Sequence, residues 1–163
     1  IGSKLINARK ETLHQKPSFQ NLLNKNRCII ICDGFYEWKK INNSSQAYYI
    51  TQKNNKLLLF AGLWSSIKTN LNNYLYSYTI ITKPANSKIS KIHNRMPAIL
   101  NHQNINNWID CKNSSIINPL KILETSETEL KFYPVSKNIN STKNNFIELL
   151  NPIKTNKILN LFP

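Results

Sequence analysis

RCIIICDGFYEWKK, residues 27–40, is the stretch from which the fold can be read. Its first half, Arg27 to Cys32, is a β-branched run typical of a buried strand. Asp33-Gly34 interrupts it and predicts a bulge or tight bend. Phe35 to Lys40 then continues as extended chain. Residues 41–46, INNSSQ, read as a polar turn, and Ala47 to Thr51 as the returning arm of a hairpin.

The same reading extends outward in both directions. Upstream, Leu5 to Arg9 is a short extended segment. Residues 18–26, SFQNLLNKN, read as a helix with Ser18 as N-cap and Phe19, Leu22 and Leu23 on one face. Downstream, strands are expected at Leu57–Trp64 and Tyr74–Thr82, separated by a polar loop over 68–73. A short helix at Asn86–Ile92, a strand at Pro97–Leu100 and a helix over 103–109 follow. Leu120–Leu123 reads as a helical turn, Leu130–Val135 as a strand and Phe146–Leu150 as a helical turn. No internal repeat stands out. The expected fold class is α+β: a mostly antiparallel, curled, barrel-like sheet with short peripheral helices, forming one domain over residues 1–163.

Composition narrows the function classes. A hydrophobic content of 40% supports a core, and no apolar run approaches membrane-span length. Twenty-two Lys and Arg against eight Asp and Glu leave a net charge of +14. That excess suits a polyanionic partner, because cationic side chains displace counterions from phosphates. It equally suits an AT-rich genome in which Lys is abundant and solubilises the surface. The three cysteines, Cys28, Cys32 and Cys111, form neither a CxxC pair nor a zinc set. They point to a reducing, cytoplasmic setting with no disulfide framework, no metal and no cofactor.

Three short segments carry polar side chains in places where packing alone does not call for them. In Ile6–Thr12, strand periodicity puts Asn7, Arg9 and Glu11 on one face. An amide, a guanidinium and a carboxylate so placed can hold a phosphate or a sugar, although solvated edge strands often alternate in the same way. In Asp33–Trp38, Glu37 stands among aromatic residues. A carboxylate desolvated there has a raised pKa and can exchange protons near neutrality; a surface ion pair with a Lys or Arg is the competing explanation. In Ile92–Pro97, His93 lies at a helix-to-strand junction, a common cleft-lining position. A lone histidine is nonetheless more often structural than catalytic.

Taken together, NARKET, KPSF, RCIIICDGFYEW, HNRMPAIL and YPVSKNINSTKNN, in that order, resemble the SOS response-associated peptidase family of abasic-site processing proteins. The resemblance runs from Ile6 to about Leu150. It implies a DNA-repair protein that recognises abasic sites in single-stranded DNA as a monomer beside the nucleoid, away from membranes. In that family an N-terminal cysteine, exposed by self-cleavage of the initiator Met, traps the sugar aldehyde as a thiazolidine. The implied chemistry is that of a peptidase with lyase-like character. The family's catalytic Asn, Glu and His match Asn7, Glu37 and His93. The resemblance further implies DNA contacts by Arg9 and Arg95 to phosphates, and by Lys16 and Phe19 near a strand junction.

There are departures from the family pattern. Ile31-Cys32 stands where many relatives carry Pro-Ala, a change expected to affect packing. The family's Met-Cys-Gly-Arg start and the segment after it have no match, so the expectation is an N-terminally incomplete domain without the nucleophile. A non-catalytic single-stranded DNA-binding domain is the alternative.

Overall fold

The structure, a computed structural model, describes residues 5–112, 118–124 and 128–153. The run at 27–41 forms two strands, β2 (Arg27–Cys32) and β3 (Gly34–Ile41), with the bend at Asp33 between them. The bend sends them into different sheets. β2 pairs antiparallel with β5 (Leu58–Lys68), which pairs with β6 (Tyr74–Pro84), which pairs in parallel with β1 (Asn7–Arg9). β3 pairs with β4 (Ser44–Gln52), which pairs with β8 (Leu130–Pro134). The first sheet has five strands, counting β7 (Arg95–Pro97) beside β6, and the second has three. The fold is α+β and mostly antiparallel, as expected. Its two sheets stay open and face each other, so the expected barrel is only a loose description.

Gly34 explains the sharpness of the bend. Its backbone is not in the left-handed region, so the demand for glycine comes from space. A Cβ at this position would collide with the Tyr49 ring and come within 2.6 Å of the Ile50 carbonyl oxygen. The Asp33 carbonyl is also held, accepting from Thr51 Oγ1 at 2.6 Å. The following hairpin is tighter than the polar run suggests. Ile41 pairs directly with Ser44, which leaves Asn42 and Asn43 as a two-residue loop. Asn42 takes φ 49°, a left-handed conformation that Asn tolerates better than most residues.

Besides a small cluster of Ala47, Tyr49 and Val135, two larger cores follow from this layout. One lies between the sheets and joins Tyr48 and Ile50 of β4 to Leu58 and Phe60 of β5, with Ile89, Met96 and Ile99. The other lies between the five-stranded sheet and the helices α1 (Pro17–Lys25), α2 (Ile105–Ile109) and α3 (Pro119–Ile122). Helix α1 starts one residue ahead of the expected Ser18 cap. Pro17 occupies its first turn, where a missing N–H is harmless, and the extended Lys16 precedes it. Arg27 is 4% exposed yet satisfied. Its guanidinium donates to the Leu23 carbonyl at 2.8 Å, the Asp110 carbonyl at 2.6 Å and the Trp108 carbonyl. The carbonyls at the ends of α1 and α2 thus receive a cation, which their dipoles favour.

β2 is the last strand in its sheet and is less buried than expected; Ile31 is exposed. Beyond Gly62 the β5–β6 hairpin runs clear of the second sheet. Cross-strand register puts Trp64, Tyr74, Tyr76 and Tyr78 on the face that continues the inter-sheet core. The three tyrosines are exposed, with Trp64 and Tyr76 ring centroids 5.9 Å apart. No helix among the described residues is long and apolar enough to cross a membrane.

Gly34→Ala is expected to destabilise the fold by about 1–3 kcal/mol, the usual range for forcing extra atoms into a packed site. The Ile50 carbonyl cannot retreat without breaking the β3–β4 register. Gly62→Ala should lose less, because the nearest atom to its added methyl is the rotatable end of Ile30. Urea denaturation of the two variants beside the parent checks the ranking, and equal midpoints would refute the packing argument.

Candidate active site between the two sheets

The segment that carries His93 enters the structure as a wedge. β6 pairs with β5 as far as Gly62↔Ile80 and then with β7 from Thr82↔Pro97. Beyond β7 the chain slots between the diverging strands. Ala98 N–H donates to the Ile81 carbonyl at 2.8 Å, and Leu100 N–H donates to the Leu59 carbonyl at 2.7 Å. Upstream of the wedge, a single 3-10 turn, Ile89–Lys91, stands where a short helix was expected. Its buried Ile89 and Ile92 anchor the turn in the inter-sheet core, and His93 emerges just after it. The wedge therefore aims His93 across the gap at the second sheet.

Glu37 comes from the other side of the gap, on β3, paired with Tyr48. Its Oε2 lies 3.6 Å from His93 Nδ1, with 22% of the glutamate side chain and 42% of the histidine exposed. Burial pushes the Glu37 carboxyl above the ordinary glutamate pKa. The neighbouring His93 and the Trp38 backbone N–H pull in the opposite direction but do not cancel it. A carboxyl shifted this way holds a proton to higher pH and can still release it to an adjacent imidazole.

His93 Nδ1 has two further neighbours. The Arg95 backbone N–H donates to it at 3.2 Å, and the Arg95 carbonyl oxygen lies at 3.2 Å. The Arg95 side chain turns back toward β1. Its Nη1 and Nη2 donate to the two Glu11 oxygens at 2.9 and 3.1 Å, and Nη2 also donates to the Thr82 carbonyl at 2.7 Å. The Arg95 hydrogen bonds hold the Glu11 carboxyl below its usual range, against a smaller opposing effect of burial.

The structure groups the sequence-derived residues unevenly. Glu37 and His93 meet, and Arg95 touches His93 through its backbone alone. Arg9 is exposed on β1 opposite Thr82, and Asn7 is exposed opposite Ile80. Glu11 is not the third residue of one strand face, because β1 ends at Arg9 and Lys10–Thr12 form a 3-10 turn. That turn is what brings Glu11 to Arg95. Lys16 is exposed just ahead of α1. Phe19 is 2% exposed in the helix-side core, so it offers no ring for stacking on a strand junction; its periodic spacing with Leu23 marked it as core. The sequence reading missed Thr82 and also Asn140, whose Oδ1 accepts the Trp38 indole N–H at 2.7 Å. Both are ordinary polar residues, and only the folded chain shows which groups they meet.

Two other features stand apart from this pair. A cavity of about 610 Å³ between the β4–β5 turn and residues 99–102 is lined by Gln52, Lys53, Asn101 and His102, away from Glu37 and His93. The thiols of Cys28 and Cys32 are raised, chiefly by burial, the latter to about 11. No group of His, Cys, Asp and Glu among the described residues can hold a metal ion.

Comparison with known proteins agrees with this layout. An X-ray structure of a protein from Bacteroides thetaiotaomicron shares the fold with a TM-score of 0.77 at 24% identity, over 91% of this chain and 66% of that one. Another, from Bordetella bronchiseptica, aligns with a TM-score of 0.66 at 26% identity, over 80% of this chain and 64% of that one. The abasic site processing protein YoqW of Bacillus subtilis is 41% identical across 92% of this chain, which spans 68% of its length. The abasic site processing protein HMCES of Gallus gallus is 34% identical across 93% of this chain, which spans 51% of its length. A sequence model of the family described as SOS response associated peptidase (SRAP) matches residues 1–142. With that match over most of its length, the chain belongs to the SOS response associated peptidase family.

Proposed function

We propose that this chain supplies the proton-transfer and strand-holding part of a centre that processes abasic sites in single-stranded DNA. The observation that carries the reading is the Glu37–His93 contact, a half-desolvated carboxyl and an imidazole brought together from opposite sheets. The names of the relatives support the substrate class.

An abasic deoxyribose opens to an aldehyde. In the finer reading, the α-amine of an N-terminal cysteine attacks the carbonyl carbon, and the carbinolamine loses water to give an imine. The thiol then adds across the C=N bond and closes a thiazolidine, with one water released overall. The attacking amine must lose a proton, and the departing hydroxyl must gain one. Glu37 suits both transfers because its pKa is raised, and His93 assists ring opening and exchanges protons with it. The same pair can protonate the leaving nitrogen during release of an initiator Met. Asn7 orients the sugar, and Arg9 holds a phosphate through its planar fork. Lys16 adds positive charge along the strand. Arg95 can reach a phosphate only if Glu11 yields its fork.

Cys28, Cys32 and Cys111 are internal, and their nitrogens are amides, so none of them can close such a ring. The second reading, a single-stranded DNA binder without chemistry, draws on the +14 charge.

Fluorescence anisotropy with matched single strands, one abasic and one intact, separates the two readings. Processing predicts tighter binding of the abasic strand, with the preference reduced in Glu37→Gln and His93→Ala. Equal affinity for both strands, unchanged in these variants, would favour the plain binder. Arg9→Ala should weaken binding to both strands and lower the salt slope by about one.

Stability should carry the mark of Glu37 as well. The folded chain holds its proton to higher pH than the unfolded chain does. The stabilisation this gives is complete below the unfolded carboxyl pKa and disappears as pH rises through the higher folded value. Melting curves recorded across that window should show the parent losing stability relative to Glu37→Gln as pH rises. Parallel curves would mean that Glu37 titrates normally.

A further inference from the structure

Arg95 makes two sets of contacts, and they point in opposite directions. Its guanidinium is clamped by Glu11 and Thr82 through four hydrogen bonds of 2.7 to 3.1 Å. Its backbone N–H and carbonyl both meet His93 Nδ1 at 3.2 Å. The guanidinium Nε is buried without a partner. An unsatisfied buried donor is unfavourable, so the guanidinium lies where its two Nη groups are best held and not where all its donors are satisfied. Together with the Pro84↔Arg95 pairing of β6 and β7, the clamp therefore holds residue 95 in place.

Nδ1 can serve only one kind of partner at a time. The Arg95 N–H needs a lone pair there, whereas the Arg95 carbonyl and the Glu37 carboxylate need a proton. With a bare Nδ1, the neutral ring carries its proton on Nε2. With Nδ1 protonated, the ring can donate toward Glu37, 3.6 Å away. A small shift of the residue 95 backbone therefore alters which nitrogen holds the proton.

We propose that Glu11 is a positioning residue for His93: by clamping the Arg95 side chain it fixes the Arg95 backbone against Nδ1 and so selects the proton form of the ring that faces Glu37. Glu11 does not contact the ring. It acts through a chain of contacts that runs from the turn after β1, through β7, to the pair between the sheets. The inference rests on the proposed function only for what the proton is used for; the geometry stands without it.

The test is a measurement of the His93 ring ¹⁵N shifts by NMR at about pH 8, where an ordinary imidazole is neutral. The parent should show one dominant tautomer. Glu11→Ala should move both shifts toward the averaged values of a freely exchanging imidazole. Glu11→Gln, which keeps one acceptor for the fork, should fall between the two. Lys10→Ala removes the neighbouring 3.0 Å pair with Glu124 from the same turn and should leave the shifts in place. Unchanged His93 shifts in a folded Glu11→Ala protein would overturn the proposal, as would equal shifts in Lys10→Ala, which would indicate general loosening of the turn. If Glu11→Ala fails to fold, Glu11→Gln decides, and parent-like shifts there overturn the proposal. Loss of abasic preference with the expected ¹⁵N pattern intact would count against the proposed function and leave this inference standing.

Discussion

There is no room for a methyl group between Gly34 and the Tyr49 ring, and much of the fold follows from that contact. The tight approach lets β3 pair with β4 immediately after the bend at Asp33. The bend separates one continuous run of sequence into two sheets. Because the sheets face each other, residues of β3 look across a shared core toward β5, β6 and the wedge that follows β7. Glu37 is three residues beyond the glycine, and the close packing there fixes its position along β3. A looser bend would let the hairpin slide, and every side chain on β3 would change its partner across the gap.

Two cations, Arg27 buried and Arg95 partly so, brace the two ends of this arrangement. Arg27 draws together the ends of α1 and α2 through backbone carbonyls, and Arg95 ties β7 to Thr82 and Glu11. Arginine suits both places because its planar fork serves several acceptors at once and stays charged when partly desolvated. Lysine, by far the commoner cation on a surface of this kind, supplies one point charge and could not span the same carbonyls. The strong positive charge of the chain and its few structural arginines thus do different work: one sets the field around the molecule, the others hold it in shape.

The parts of the fold that depend on neighbouring residues were legible in the sequence. β2 begins and ends at Arg27 and Cys32, as its β-branched run implied, and the bend at Asp33 fell where Asp-Gly indicated. Local competition blurred other boundaries. Pro17 opened α1 ahead of Ser18, because a residue without an N–H suits a first turn as well as a capping hydroxyl does. Polar residues at 44–46 looked like turn and proved to be strand, since an exposed strand end needs no apolar side chains. The site was legible in its residue types, Glu37 and His93 above all, and less so in its connections. Asn7, Arg9 and Glu11 alternate like a strand, and only the 3-10 turn after Arg9 diverts Glu11 toward Arg95. Arg95 looked like an open phosphate contact because its carboxylate partner lies 84 residues away in the chain. Long-range pairing of this kind leaves no local pattern.

The β5–β6 hairpin that extends past the second sheet has a colloidal consequence. Its tip exposes Ile67, Leu71, Leu75 and the three tyrosines, apolar surface of the kind that draws molecules together. Each molecule also carries a charge of +14, so approaching copies repel before those surfaces touch. The balance depends on ionic strength, since the screening length shrinks from about 30 Å at 0.01 M to about 8 Å at physiological salt. Dilute buffer keeps such molecules apart, and added salt removes the barrier while leaving the apolar attraction in place. A polyanion bound elsewhere on the surface would lower the same barrier by neutralisation, so occupancy and self-association are coupled through net charge alone.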